Sequence, residues 1–390
     1  MISVVSLLFF FVLPSSGSTG GSKLPTGDLN LLEFPLNLEY LEAEFFLWGA
    51  FGYGLDKLAP NLSSNGPSPV GAKAAKLSPL VKDIIAQFGY QEVGHLRAIK
   101  KTVPGFPRPL LNLSAEAFAS VVNDAFGKAL KPAFDPYAND INYLIASYLV
   151  PYVGLTGYVG ANAKLRSQTA KRLVAGLLGV ESGQDAVLRT LLYEHAKEEV
   201  APYGITVADF TNRFSDLRNN LGNKGFIKDE GLIVKEREGA EGKFSGNILA
   251  GDEYSVAYDR SPEEILRIVY GSGEERKPGG FFPKGAHGKI AESYLLVQFL
   301  SPYHYAWIIL QTNLINISLP NLWIDRPRPY CRGLLVKPPW PKPYGQGLAL
   351  GWSRSSTGLN LGAPGLLQSS APCSVFSDRS IPFLMYSIHH

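Results

Sequence analysis

The chain has 390 residues, of which 45% are hydrophobic and 18% are charged, and its net charge at pH 7 is +3. This length can hold one large domain or two smaller ones, and the apolar content is ample for a buried core. The charges form no basic run and no basic–aromatic array, so the sequence gives nucleic-acid binding no support.

Residues 1–19 are interpreted as a secretory signal peptide. An apolar stretch over Ile2–Leu13 is followed by small residues that suit cleavage. The segment contains no Lys or Arg, so the alternative is a buried N-terminal strand or helix. The stretch is too short to span a membrane comfortably, and we expect a secreted protein without a stable membrane span. Sequons consistent with a secreted glycoprotein begin at Asn61, Asn112 and Asn316.

Two long helices are predicted in the first hundred residues. Over residues 31–53, apolar side chains recur at spacings of three and four on nearly every face, as in the central helix of a bundle. The second helix begins with Ser78 as N-cap and Pro79 at the first helical position. It runs to about Thr102 and stops before Pro104.

A short helix and two more long helices follow. The short helix is predicted over Ser114–Phe126, with its first residue as N-cap. The third long helix covers residues 138–162 and contains Pro151, which removes one backbone hydrogen bond and predicts a kink. The fourth covers residues 167–197. Four long helices joined by crossover segments predict a mainly α four-helix bundle over residues 27–204.

The pattern changes after the fourth helix, and residues 205–300 predict a smaller mixed α+β extension packed on the bundle. A helix is expected from Thr206 to about Leu221, and the glycine-rich residues 225–258 favour a small hairpin region. A capping box at Ser261–Glu264 opens another helix. Residues 287–300 are expected to form one more short helix.

Residues 301–390 are interpreted as an irregular or disordered tail, because they lose periodicity and are dense in Pro, then in Ser and Gly. The alternative is a short membrane-facing stretch at Leu295–Leu310, which Pro302 interrupts. Cys331 and Cys373 both lie in this tail, so the main body has no disulfide. A bridge between them cannot be inferred from two residues alone.

Acidic residues and one histidine on the predicted helices form the most informative pattern. Glu39 lies on an apolar face of the first helix, with Glu42 as the alternative for the same role. Glu92 and His95 form a Glu-x-x-His motif on the second helix, and Glu181 lies on the fourth. In ferritin-like di-metal bundles, two helices each give one Glu and the other two each give Glu-x-x-His, all pointing inward. The pattern therefore indicates a metal site of this kind.

Two ligands of the complete pattern are missing. Gln184 stands where a second His is expected, and Pro151 stands near the middle of the third helix, whose other acid is Asp140 near its start. Three carboxylates and one imidazole predict a partial site that holds either no metal or a single iron or manganese ion. His195 is expected to be a residue of the helix C-terminus rather than a ligand.

Five short segments carry a resemblance to a known family: Asn37–Phe46, Gln91–His95, Val150–Tyr158, Ser261–Tyr270 and Gly279–Pro283. Over about residues 27–296 the chain resembles the plant desiccation-related proteins that carry a ferritin-like domain. The resemblance implies a protein of the apoplast or cell wall that responds to dehydration or other abiotic stress, and it implies no established activity. Residues 301–390 depart from the family, either as a true extension or as a gene-model artefact.

Three functions are weighed on this basis. The missing ligands favour a non-enzymatic protective or binding protein with a degenerate di-metal site, which acts on cell-wall or membrane-surface components. The alternative is an iron- or manganese-binding protein with sequestering or weak oxidase activity, and its ligands would be Glu39, Glu92, His95 and Glu181. A disordered protectant is disfavoured because the first 300 residues lack the low hydrophobicity and high charge of such proteins. The oligomeric state is not predicted.

Overall fold

A computed structural model describes residues 24–296 of the chain. The predicted signal peptide (1–19), the tail (301–390), both cysteines and the third sequon lie outside the described residues. The α-helices in chain order are α1 (Thr26–Glu33), α2 (Leu36–Phe51), α3 (Leu55–Leu58), α4 (Pro60–Ser63), α5 (Pro79–Thr102), α6 (Ala115–Phe126), α7 (Asp140–Ser147), α8 (Pro151–Asn162), α9 (Gln168–Glu194), α10 (Val207–Asn223), α11 (Pro262–Val269) and α12 (Lys289–Leu296).

The mainly α, ferritin-like bundle that the sequence predicts is confirmed. Its four rods are α2, α5, α9 and the pair α7–α8, with α2 packed chiefly on α5 and α8 packed chiefly on α9. In α2, 14 of the 16 residues are buried, which confirms that this is the central helix. Polar side chains on α2 therefore face the interior of the bundle rather than water.

Proline breaks two of the predicted helices more completely than expected. The single helix predicted over 31–53 was wrong, because α1 ends at Glu33 and α2 begins at Leu36. Pro35 lies between them and has no N–H to continue the helical hydrogen bonds. The kink predicted at Pro151 is a full interruption, since α7 ends at Ser147 and α8 begins at the proline itself.

Helix starts follow the sequence signals closely. At the four N-caps that the sequence indicated, the Ser or Thr side chain accepts a hydrogen bond from a backbone N–H in the first turn, as the preference for these residues predicts, and Asn139 and Ser167 do the same for α7 and α9. Ser261 forms a full capping box, because the Glu264 carboxylate also accepts a hydrogen bond from the backbone N–H of Ser261 at 2.7 Å. The four N-caps are Ser78, Ser114, Thr206 and Ser261.

The hairpin expected in residues 225–258 is reduced to a single antiparallel contact. Two short 3-10 helices lie in 236–242, and the only ladder contact is an isolated bridge between Ile233 and Gly246. The run of charged residues at 235–238 lacks the apolar alternation that holds a strand on a core. The strand pair that does occur in the described residues consists of β1 (Glu199–Val200) and β2 (Ile205–Thr206).

Buried arginines tie the C-terminal extension to the bundle. Arg218 on α10 and Arg260 before α11 both donate to the carboxylate of Asp229, at 2.9 and 3.0 Å. Arg218 also donates to the carbonyl of Tyr148 at 2.6 Å, and Arg260 donates to the hydroxyl of Thr156 at 2.9 Å. Because all three charged groups are buried, each depends on the others for compensation.

One stretch of the described residues is long and apolar enough to cross a membrane. It covers Asp140–Asn162, the segment that contains α7 and α8. However, 83% of its most apolar window is buried inside the protein. This is the behaviour of the core helix of a bundle, which passes the same test of length and composition.

We expect Asp229→Asn to lower the free energy of unfolding by about 3–5 kcal/mol, because two buried guanidinium groups lose their counter-ion. The measurement is urea denaturation followed by circular dichroism. Asp216→Asn on the exposed face of α10 is the matched control, with an expected change within about 0.5 kcal/mol. Equal stabilities for the two variants would contradict the role given to Asp229.

Candidate metal centre

Three helices place acidic side chains and one imidazole in the centre of the bundle. Glu39 and Glu42 come from α2, Glu92 and His95 from α5, and Glu181 from α9. The spacing of three residues on α2 and on α5 keeps each pair on one helix face. All five side chains are buried, with at most 7% of any residue exposed.

Four of these residues form a tight group around the histidine ring. His95 Nδ1 lies 3.1 Å from Oε2 of Glu39 and 3.1 Å from Oε2 of Glu92. It lies 3.4 Å from Oε1 of Glu181. The structure thus brings together the four residues that the sequence singled out, and one ligand atom from each lies within 4.8 Å of all the others. This buried group could hold a metal ion.

Glu42 lies beside this group, although the sequence offered it only as the alternative to Glu39. It is 1% exposed, and neither of its carboxylate oxygens has a hydrogen-bond partner among the described residues. Oε2 of Glu181 is buried and unpartnered in the same way. A buried carboxylate without a partner is costly, so these oxygens mark a place where a proton or a cation is needed.

Gln184 supports the group from the position where a second histidine was expected. Its side-chain nitrogen donates to Oε1 of Glu92 at 2.5 Å and to Oε1 of Gln91 at 3.0 Å. Its own Oε1 is buried and has no partner in the described part of the chain. Gln184 therefore orients Glu92, in the way that groups behind a ligand fix its orientation.

The third rod meets the carboxylates at Gly154, which corrects the expectation that Pro151 stands in this position. A Cβ added at Gly154 would lie 3.3 Å from Oε1 of Glu42 and 3.7 Å from Oε2 of Glu181. One helical turn further along α8, the Tyr158 hydroxyl donates to Oε1 of Glu39. The sequence analysis missed Tyr158, although its spacing of four from Gly154 places both on one helix face.

Burial and mutual charge shift the protonation of the group. Burial raises the pKa of Glu42 and of Glu92 well above the usual range, and the neighbouring carboxylates raise both further. Burial also raises the pKa of Glu181 to about 7. Burial alone would raise the pKa of Glu39, but the adjacent His95 charge lowers it. Burial alone would lower the pKa of His95, but the Glu39 charge and the surrounding hydrogen bonds raise it.

The donor set fits a transition-metal ion. Three carboxylates and one imidazole give the mixed oxygen and nitrogen ligation that suits iron or manganese. The unpartnered oxygens of Glu42 and Glu181 are further acceptors that the described side chains leave unused. A cation bound by the four-residue group would offset the repulsion that raises the pKa of Glu42 and Glu92.

Two other residues that the sequence considered are not part of this group. His195 is the C-cap residue of α9, as predicted, and its Nδ1 lies 2.9 Å from Glu198. Asp140 accepts a hydrogen bond from the backbone N–H of Ser78 at 2.7 Å. Both have structural roles at helix ends.

A four-helix bundle with a buried carboxylate–histidine group defines the class of ferritin-like proteins, and a family model described as a ferritin-like domain matches residues 27–194. The chain is 62% identical over 266 residues to desiccation-related protein PCC13-62 of Craterostigma plantagineum, covering 68% of this chain and 85% of that protein. It is 56% identical over 269 residues to the ferritin-like catalase Nec2 of Nesocodon mauritianus, covering 69% and 86%. The chain therefore belongs to the family of desiccation-related proteins with a ferritin-like domain. This confirms the family resemblance seen in the sequence. Both relatives support a ferritin-like stress protein. No solved structure matches the chain significantly.

Tyr158→Phe removes the hydroxyl that donates to Glu39 and leaves a buried carboxylate oxygen without that partner. We expect the metal-free protein to lose about 1.5–3 kcal/mol of unfolding free energy, the range for hydrogen bonds to charged groups. Urea denaturation after chelator treatment measures the loss. Tyr90→Phe on the exposed face of α5 is the control and should change little. An unchanged stability for Tyr158→Phe would show that this hydrogen bond does not support Glu39.

Proposed function

We propose that this chain is a secreted ferritin-like stress protein that binds one iron or manganese ion and uses it to remove hydrogen peroxide. The observation that carries the proposal is the buried group of Glu39, Glu92, His95 and Glu181, with the unpartnered oxygens of Glu42 beside it. Such a group is costly without a cation. The relative that is named a catalase, at 56% identity over 86% of its length, supports peroxide as the substrate.

The proposal differs from the non-enzymatic function that the missing ligands favoured in the sequence. The non-enzymatic function was preferred because the sequence offered only three carboxylate ligands and one imidazole ligand, fewer than the complete pattern requires. Glu42 places a fourth carboxylate at the centre, so the number of acids equals that of the complete pattern even though the third rod supplies a glycine. The binding of iron or manganese, which was the alternative, is therefore the better supported function.

A bound iron or manganese ion would supply the electron exchange with peroxide. In the balanced reaction, two molecules of hydrogen peroxide give two of water and one of oxygen, and one peroxide gains the two electrons and two protons that the other loses. The chain itself keeps bulk water away, since all the acids are buried. Tyr158 and Gln184 fix the orientation of Glu39 and Glu92 through hydrogen bonds. The residues that would hold the ion are Glu39, Glu92, His95 and Glu181.

Elemental analysis of the full chain, purified without a metal-binding tag and loaded with iron or manganese, tests the proposal. We expect about one equivalent of metal and oxygen release from peroxide. The double variant Glu92→Gln with His95→Ala should lose the metal and the oxygen release together. The control is Glu194→Gln with His195→Ala, which changes the same residue types at the exposed end of α9.

Two outcomes of this experiment would contradict parts of the proposal. A chain that takes up no metal, or a double variant that keeps it, would show that this group is not the metal site. A chain that binds metal but releases no oxygen from peroxide would contradict the catalase reaction and favour sequestration of the metal.

A second candidate function, binding of a membrane surface without catalysis, is favoured by apolar side chains that the extension exposes to solvent. Single exposed apolar residues are ordinary, but several within 30 residues of sequence are more than a bundle surface needs. They are Phe226 (71% exposed), Phe244 (66%), Leu249 (67%) and Tyr254 (75%).

If these side chains form a surface that binds membranes, the full chain should sediment with phosphatidylcholine vesicles, and Phe244→Ser with Leu249→Ser should weaken the binding. Each side chain contributes up to about 1.5–3 kcal/mol when it is fully buried. Val180→Ser with Val187→Ser, on the half-exposed face of α9, is the control. Vesicle binding that the Phe244/Leu249 variant leaves unchanged would exclude this surface.

A further inference from the structure

A narrow cavity begins at the carboxylates of the metal centre. Glu39, Glu42 and Glu181 lie at its inner end, and the exposed Lys164 lies at its outer end. Its volume is about 20 Å³, which is room for about one water-sized molecule. The cavity therefore extends from the buried group toward the surface at Lys164 and is narrow.

A line of glycines on α8 forms one wall of this cavity. Gly154, Gly157 and Gly160 recur every third residue and so share one helix face. Gly154 and Gly160 are buried, Gly157 is half-buried, and Lys164, just beyond the end of α8, is exposed. This wall of the cavity thus runs along α8 from the carboxylates toward Lys164.

The opposite wall packs directly against the glycine face, so a side chain added there would collide with it and narrow the cavity. A Cβ at Gly157 would lie 2.7 Å from Cδ1 of Ile265 on α11, and one at Gly160 would lie 2.4 Å from the carbonyl oxygen of Arg260. Both distances are shorter than ordinary van der Waals contact. The width of the cavity is therefore set by the absence of side chains on α8 and by the position of Ile265.

Glu42 gives this passage a polar end. Its carboxylate lines the cavity, is 1% exposed, and has no hydrogen-bond partner among the described residues. A molecule with a hydroxyl group that reached the inner end would find an acceptor there. The apolar walls, which include Leu38 and Ile265, disfavour the entry of ions of either sign.

We propose that this cavity is the entry route by which neutral hydroxylic molecules no larger than hydrogen peroxide reach the metal centre, and that Gly154, Gly157 and Ile265 set its width. Glu42 accepts a hydrogen bond from the entering molecule. The inference rests on the proposed metal-binding function and adds the class of substrate, which excludes anions and bulky organic peroxides.

The test measures entry without turnover. The full chain is loaded with ferrous iron, and the association rate of nitric oxide, a small neutral probe, is followed by stopped-flow absorption. Gly154→Ala and Gly157→Val narrow the passage, and each should slow association by about tenfold, which corresponds to about 1.4 kcal/mol of added barrier. Ile265→Ala widens the passage and should speed association. The control is Gly183→Ala on the exposed face of α9, where an added Cβ meets nothing within 4 Å.

Iron content, measured on every variant, separates this inference from the proposed function. If all variants bind iron and the narrowing and widening variants associate with nitric oxide at the wild-type rate, entry by this route is refuted while metal binding stands. Wild-type iron that never binds nitric oxide would also refute it. A chain that takes up no iron would overturn the proposed function and this inference together.

Substrate size gives a second readout. The wild-type protein should release oxygen from hydrogen peroxide but should not consume tert-butyl hydroperoxide, whereas Ile265→Ala should consume both. Consumption of the bulky peroxide by the wild-type protein would contradict a passage of this width. Ile265→Ala is expected to gain the ability to consume tert-butyl hydroperoxide. Poor folding would lower activity, so it cannot produce this gain.

Discussion

The burial of four carboxylates around one histidine is the constraint on which the rest of the centre depends. Nearly all of α2 is buried, so Glu39 and Glu42 face the interior of the bundle rather than bulk water. Their charge must be compensated within the protein, because an unpaired buried carboxylate is costly. His95 and Tyr158 compensate Glu39, whereas Glu42 has no partner in the described structure. This imbalance, rather than the ligand pattern alone, marks the place where a proton or a cation is needed.

The sequence was sufficient for features that depend on local chemistry. N-caps such as Ser78 and the capping box at Ser261 were predicted because each involves residues within one turn. Glu92 and His95 are also within one turn of each other, so their spacing of three predicted that one face of the second helix presents both side chains to the centre. The sequence was insufficient where partners are distant along the chain. Tyr158 lies 119 residues from Glu39, and no periodicity links the two.

The relation between Glu42 and Gly154 shows why a residue-by-residue comparison with the ligand pattern was misleading. The pattern expects an acid from each of the four helices. Here α8 presents a glycine, and a Cβ at that position would lie only 3.3 Å from the Glu42 carboxylate. The space that a third-helix side chain would need is therefore partly used by an acid from α2. A count of the ligands missing from α8 does not include Glu42, the acid that α2 supplies.

The C-terminal extension is part of the centre rather than an addition to it. Arg260 and Ile265 line the cavity that leads to the carboxylates, yet both lie beyond the ferritin-like match at 27–194. The similarity to the two relatives covers 266 and 269 residues, which is longer than that match. Arg260 is held against α8 by its hydrogen bond to Thr156 and by its buried pair with Asp229. The pair with Asp229 and the hydrogen bond to Thr156 therefore fix the position of one part of the cavity wall next to the carboxylates.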